Sequence, residues 1–216
     1  MDVRDFVRRY PELYHMAELG SWPSIQKRGL RSTTKLLDLF EVESVRRVKL
    51  ESEWRPRSET IRHPNRGTAV IRDQRPMRDE ELKPLLIDME PRDWYRLING
   101  KVFFWADLHG LRKLLGAVMY RDRSHDVLTV DTGTLVERHV DKMWLTDQNS
   151  GSVLSGRPRG RDTFKKVRDF SGRWVTEVAV DNLVPDIADL TIRVEEWKGD
   201  TMVRQIWLRG ARGGSV

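Results

Sequence analysis

Cysteine is absent from the 216 residues, which excludes disulfides, thiol catalysis and cysteine-ligated zinc. Also absent is any apolar run near the roughly 18–20 residues that a membrane-spanning helix needs. The opening Met1-Asp2-Val3-Arg4-Asp5 carries no apolar signal-peptide core. No membrane association is expected, and the cytoplasm is the expected compartment. Histidines stand at 15, 63, 109, 125 and 139 with no i, i+4 pair and no HExxH, so no metal site is expected. GxGxxG, GxxxxGK[ST] and GxSxG are missing as well. A dinucleotide-binding Rossmann turn, a P-loop and a hydrolase nucleophile elbow are thereby excluded.

What is present is charge. Charged residues make up 33% of the chain against 38% hydrophobic, the net charge is +6 and the pI about 9.7. Excess positive charge attracts phosphates by releasing their counterions, so DNA or RNA is an expected partner; solvated surface charge is the competing reading. Arg157, Arg159, Arg161, Lys165 and Lys166, with Arg168, read as one basic loop. Arg204, Arg209 and Arg212 thicken the C-terminal end. The length suits a single domain over 1–216 with a real core.

Helical spacing of Val3, Phe6, Val7 and Tyr10 predicts a helix over 2–10. A short strand ending at His15 follows. A helix is then opened by Ser21, with Pro23 in its first turn, and closed by Gly29. Helices are expected over 33–40, 42–54, 77–86 and 90–98, and a loop over 55–67 that overlies a site. Strands are expected at 68–71, 101–105, 126–130, 174–180, 189–196 and 202–209, the last two joined by Lys198-Gly199-Asp200. Asp131-Thr132 caps the helix after the 126–130 strand. The expected fold is α+β: one domain with a mixed or antiparallel sheet and flanking helices.

Two blocks can carry chemistry. In the first, a strand hands His15 to the start of a helix, a way to hold imidazole beside a phosphate or an amide. In the second, Glu177 sits within the alternating strand Val175-Thr176-Glu177-Val178-Ala179-Val180. A carboxylate there can bond a ribose 2′-hydroxyl and stabilise positive charge as a glycosidic bond breaks. A Glu on the wet face of an edge strand would have the same pattern.

Tyr14-His15-Met16, Pro23-Ser24-Ile25 and Gly29-Leu30 resemble the first motif of DarT-type DNA ADP-ribosyltransferases. Glu177-Val178 running into Val184-Pro185 and Ile187 resembles the strand that supplies their catalytic Glu. The chain as a whole resembles an uncharacterised bacterial family through YHMAE, GTAVIRDQ, VFFW, LTVDT, NSG and PDIAD segments. The DarT resemblance implies an ADP-ribosyltransferase-like fold that cleaves nicotinamide from NAD+. It implies Glu177 as catalytic carboxylate and His15, with Met16 beside it, as cofactor-binding. Phe103 and Trp105, on one face of their strand, would present aromatics to the nicotinamide, with core packing as the alternative. Arg72 is the candidate for an arginine that activates the acceptor, with an ion pair to Asp73 as the alternative. Asn149 and Ser150 either support the cofactor or form a plain turn.

The expected function is NAD+-dependent mono-ADP-ribosyl transfer, with nucleic acid as acceptor and an antitoxin or hydrolase as partner. A non-catalytic nucleic-acid-binding domain and an NAD+ glycohydrolase toxin are the alternatives.

Overall fold

The computed structural model describes residues 1–210; Arg212 lies outside the described residues. Asp2 opens α1 (Val3–Arg9) by accepting the backbone N–H groups of Arg4 and Asp5. Then come β1 (Glu12–Glu18), α2 (Trp22–Arg28), β2 (Leu30–Arg31), α3 (Thr33–Leu39) and α4 (Ser44–Ser52). The segment expected as a loop over 55–67 instead contributes β3 (Glu59–His63), which forms a hairpin with β4 (Gly67–Ile71). Ile61 and Ile71 drive it, burying against Leu37, Phe40 and Leu50 of the preceding helices. The 77–86 helix is shorter than expected: α5 (Asp79–Leu82) tightens into a single 3₁₀ turn over Lys83–Leu85.

The chain continues through α6 (Pro91–Asn99), β5 (Lys101–Trp105), α7 (Leu108–Leu115), β6 (Ser124–Asp131), α8 (Thr132–His139) and β7 (Met143–Thr146). It closes with β8 (Glu177–Asp181), β9 (Leu183–Val184), α9 (Ile187–Leu190), β10 (Thr191–Lys198) and β11 (Thr201–Leu208). The short α9 takes Asp189 and Leu190, so β10 starts later than the expected strand. The class is α+β, as expected, and among the described residues no helix is long and apolar enough to cross a membrane.

Seven strands form one sheet in the order β11-β10-β6-β1-β5-β8-β7, and its strand pairs are antiparallel rather than mixed. β6 runs through its middle, with every residue from His125 to Val130 buried. One face packs Leu13, Val102, Phe104, Leu128, Val130, Val178 and Val180 under Phe6, Trp22, Leu135 and Leu190. The opposite face is covered by two separate clusters. Met16, Val127 and Trp197 pack with Leu111 and Leu115 of α7, and Ala179 packs with Trp94 and Tyr95 of α6.

Gly29 has φ +79°, a left-handed conformation that glycine adopts without a Cβ penalty. A Cβ there would lie 2.8 Å from Pro185 Cα, so the turn after α2 and the β9 turn touch backbone to backbone. Gly29→Ala is expected to cost about 2 kcal/mol, from strain plus the forced separation. A urea midpoint indistinguishable from the parent protein's would contradict this.

Candidate active site

β1 and β5 share only the pair Tyr14↔Trp105, whereas β1 pairs with β6 along its whole length from Glu12 to Glu18. Beyond that point a side chain replaces the ladder: His15 Nδ1 lies 2.8 Å from the carbonyl oxygen of Phe103. A carbonyl only accepts, so the neutral ring donates from Nδ1 and leaves Nε2 as an acceptor. Enclosure by surrounding protein pushes this imidazole down to about 4, and the charge of Arg72 acts in the same direction. The ring stands edge-on to Phe104, with centroids 5.8 Å apart.

Glu177 begins β8, paired with Trp105 on one side and Thr146 on the other. It is not on a wet edge: it is 6% exposed, in the interior of the sheet. Its Oε2 accepts two hydrogen bonds from Ser150, one from the backbone N–H at 2.9 Å and one from the hydroxyl at 2.7 Å. Asn149 shapes that turn by accepting the Gly151 N–H at 2.9 Å. The Asn149–Gly151 segment is therefore both a turn and a support, with Ser150 gripping the carboxylate. Among the described residues Oε1 receives no hydrogen bond from the protein. Burial pushes the carboxyl up to about 7, against the Ser150 bonds and the charges of Arg72 and Arg159.

Arg159 corrects the reading of the basic loop. It is 1% exposed, its guanidinium centred 5.7 Å from the Trp94 ring and Nη1 donating to the Ser150 carbonyl at 3.4 Å. Burial lowers its pKa while the charge of Glu177 raises it, and its Nε and Nη2 are buried with no hydrogen-bond partner among the described residues. Arg157 is clamped by both oxygens of Asp147 at 2.9 Å, and Lys165 pairs with Asp162. Lys166 sits 3.8 Å from the centre of the Trp144 ring. Arg161 remains exposed.

Arg72 follows β4 and is exposed, with its guanidinium 5.9 Å from the Tyr120 ring centre. The alternative of a structural ion pair with Asp73 does not hold: among the described residues Arg72 pairs with no carboxylate, and Asp73 accepts from Tyr120 and Ser58. Its charge acts on both His15 and Glu177, although strand alternation puts His15 with Leu13 and Leu128 on one face of the sheet and Glu177 with Trp105 and Ala179 on the other.

The aromatic strand divides. Trp105 joins Met16 in the α7 cluster, while Phe103 packs beside Phe164 at 6.1 Å in the α6 cluster. Met16 is buried. Gly110 makes room for Trp105, because a Cβ would come within 2.6 Å of its Cε3. Two features escaped the sequence reading. Arg159 looks like any loop arginine, and Asp126 looks like an ordinary strand residue. Asp126 is fully buried and accepts the N–H groups of Gly20 and Trp22 at 3.1 and 2.9 Å. It thereby takes over the capping expected of Ser21, whose side chain makes no capping bond.

The shifts of Glu177 and His15 oppose one another in stability. Glu177, raised to about 7, contributes stability that is present below about pH 4.5 and lost as pH climbs through 7. His15, depressed to about 4, contributes stability that is present above about pH 6.5 and lost as pH falls through 4. Between about pH 5 and 7, Glu177→Gln is therefore expected to gain stability relative to the parent by about 2 kcal/mol. Urea titrations at both pH values measure it, and a difference independent of pH would show that Glu177 titrates normally.

A family profile described as "Family of unknown function (DUF7002)" matches residues 11–192. The span runs from just before β1 into the start of β10 and so includes His15, Arg72, Ser150, Arg159 and Glu177. No match was found among curated proteins.

Proposed function

The chain belongs to the DUF7002 family, and from that premise we propose that it is an NAD+-dependent mono-ADP-ribosyltransferase acting at Glu177. The observation that carries this reading is the asymmetry of the carboxylate. Oε2 is locked by two bonds from Ser150, while Oε1 has no partner in the described protein. Oε1 is not among the enclosed unpartnered atoms, so it stays open to a ligand from outside. One oriented oxygen is what a ribose hydroxyl requires.

NAD+ would supply a glycosidic bond whose cleavage releases neutral nicotinamide and leaves ADP-ribose for an acceptor. Glu177 would place negative charge where positive charge develops on the ribose. Ser150 holds that charge in position, and the charge of Arg159 adds to its bonds in favouring the ionised form. His15 presents Nε2 as an acceptor for an amide or hydroxyl donor of the cofactor. Arg72, exposed and unpaired with carboxylate in the described protein, would be free to act on an acceptor. The resemblance of the two blocks to DarT-type enzymes supports the same assignment, as does a β1–β5 seam that opens beside His15.

The test is nicotinamide release from NAD+ by the purified chain, with and without single-stranded nucleic acid. Absence of both release and NAD+ binding would overturn the reading. Release without transfer to any acceptor would make the protein a glycohydrolase.

A further inference from the structure

We propose that the outer face of the β3–β4 hairpin is the landing surface for the phosphodiester backbone of a single-stranded nucleic acid. The proposal rests on the transferase reading in placing the end of that track at Glu177 and in preferring a single strand to a duplex.

Residues 55–78 hold seven arginines against Glu59 and Asp73. The hairpin register sorts them. Ile61 pairs with Ala69 and points inward with Ile71, so Arg62, its partner Thr68, and Thr60 with its partner Val70 fall on the outer face. Arg72 continues that alternation past the end of β4, about 13 Å from Thr68 at 3.3 Å per residue. Arg57 and Arg75 flank the open end, where the Ser58 hydroxyl donates to Asp73 at 3.3 Å. Arg57, Arg62, Arg72 and Arg75 are exposed, and none forms an ion pair among the described residues. Glu59 falls on the opposite face, and Asp73 is occupied by Ser58 and Tyr120.

Forked guanidinium groups interleaved with threonine hydroxyls suit phosphate oxygens. The basic loop at 157–168 offers less, because Arg157 and Lys165 are already paired and Arg159 is buried. The track ends at Arg72, whose charge reaches Glu177. A base stacked inside a duplex must first be unpaired and flipped out to approach a buried carboxylate, whereas a single strand turns its bases inward without that cost.

The experiment is fluorescence anisotropy of labelled oligo(dT) and oligo(U), each alone and in a duplex, without NAD+. It compares the parent protein, R57S/R62S/R75S and the loop variant R161S/R168S. The hairpin variant should bind at least about ten-fold more weakly, with the salt slope reduced by about 2 for three lost phosphate contacts. The loop variant should stay within about two-fold of the parent. The dT and U arms identify the sugar. Equal losses in the two variants, equal binding of duplex, full competition by polyglutamate, or no binding by the parent would each overturn the proposal. Release of nicotinamide without added nucleic acid is measured in parallel and should be the same in parent and hairpin variant. Hairpin-dependent binding with no release from the parent would end the transferase reading and leave this surface standing.

Discussion

Glu177→Gln is expected to lower nicotinamide release by at least about a hundred-fold while leaving the fold intact. The replacement keeps the size of the side chain, and its amide oxygen can still accept the two bonds from Ser150 that now fix Oε2. What disappears is the negative charge facing the ribose. Because that charge acts most strongly as the glycosidic bond breaks, kcat should fall much further than KM rises. Glu177→Asp tests position separately. Shortening the side chain by one methylene pulls the carboxylate away from Ser150, so its activity should also collapse although the charge remains. Parent-like turnover in the Gln variant would refute the assignment of Glu177. The parent's rate should also climb as pH rises toward 7, since only the ionised carboxylate works and burial holds it protonated below that point.

The second large effect lies in stability. Asp126→Ala is expected to cost about 3 kcal/mol, because it orphans two buried or half-buried backbone donors at once. Its carboxylate spans the turn from β1 into α2, taking Gly20 N–H on Oδ1 and Trp22 N–H on Oδ2. It also sits at the positive end of the helix. Asp126→Asn retains one acceptor and should recover roughly half of the loss. Trp22 itself packs against Trp207, with ring centroids 5.1 Å apart, so loosening this turn frees β1 and β11 together. Chemical denaturation of the three proteins at one pH measures the series. An Ala variant within about 0.5 kcal/mol of the parent would mean that Ser21 or solvent can replace the cap.

Much of the site was legible because its residues belong to segments with strong local signals. His15 lies in a strand bounded by a helix start, and Glu177 in a strand with clean alternation, so each was found where its element was found. Asn149-Ser150-Gly151 read correctly as a turn, though its grip on Glu177 crosses 27 residues and no local pattern encodes it. The hairpin strand at Glu59–His63 was missed for a related reason. Arginines and prolines crowd the surrounding residues 55–67, and the one fully buried residue of the strand, Ile61, gives no period by itself. Its partner strand supplies the other half of the pattern.

By itself, the sequence determined the helices and strands whose apolar spacing repeats within a few residues, the α+β class they add up to, and the chemistry that could not occur. Tertiary structure alone decided which charges face water. Arg159 and Arg161 are two residues apart in one basic run, yet one is buried beneath the Glu177 turn and the other exposed. Asp126 and Asp131 lie on one strand, yet one caps a helix distant in sequence and the other its own. Water solvates the exposed charge, while a buried one depends on groups that the fold brings to it, such as the Ser150 carbonyl and the Trp94 ring at Arg159. Those groups are chosen by strand order and register, which bring together residues that sequence distance keeps apart.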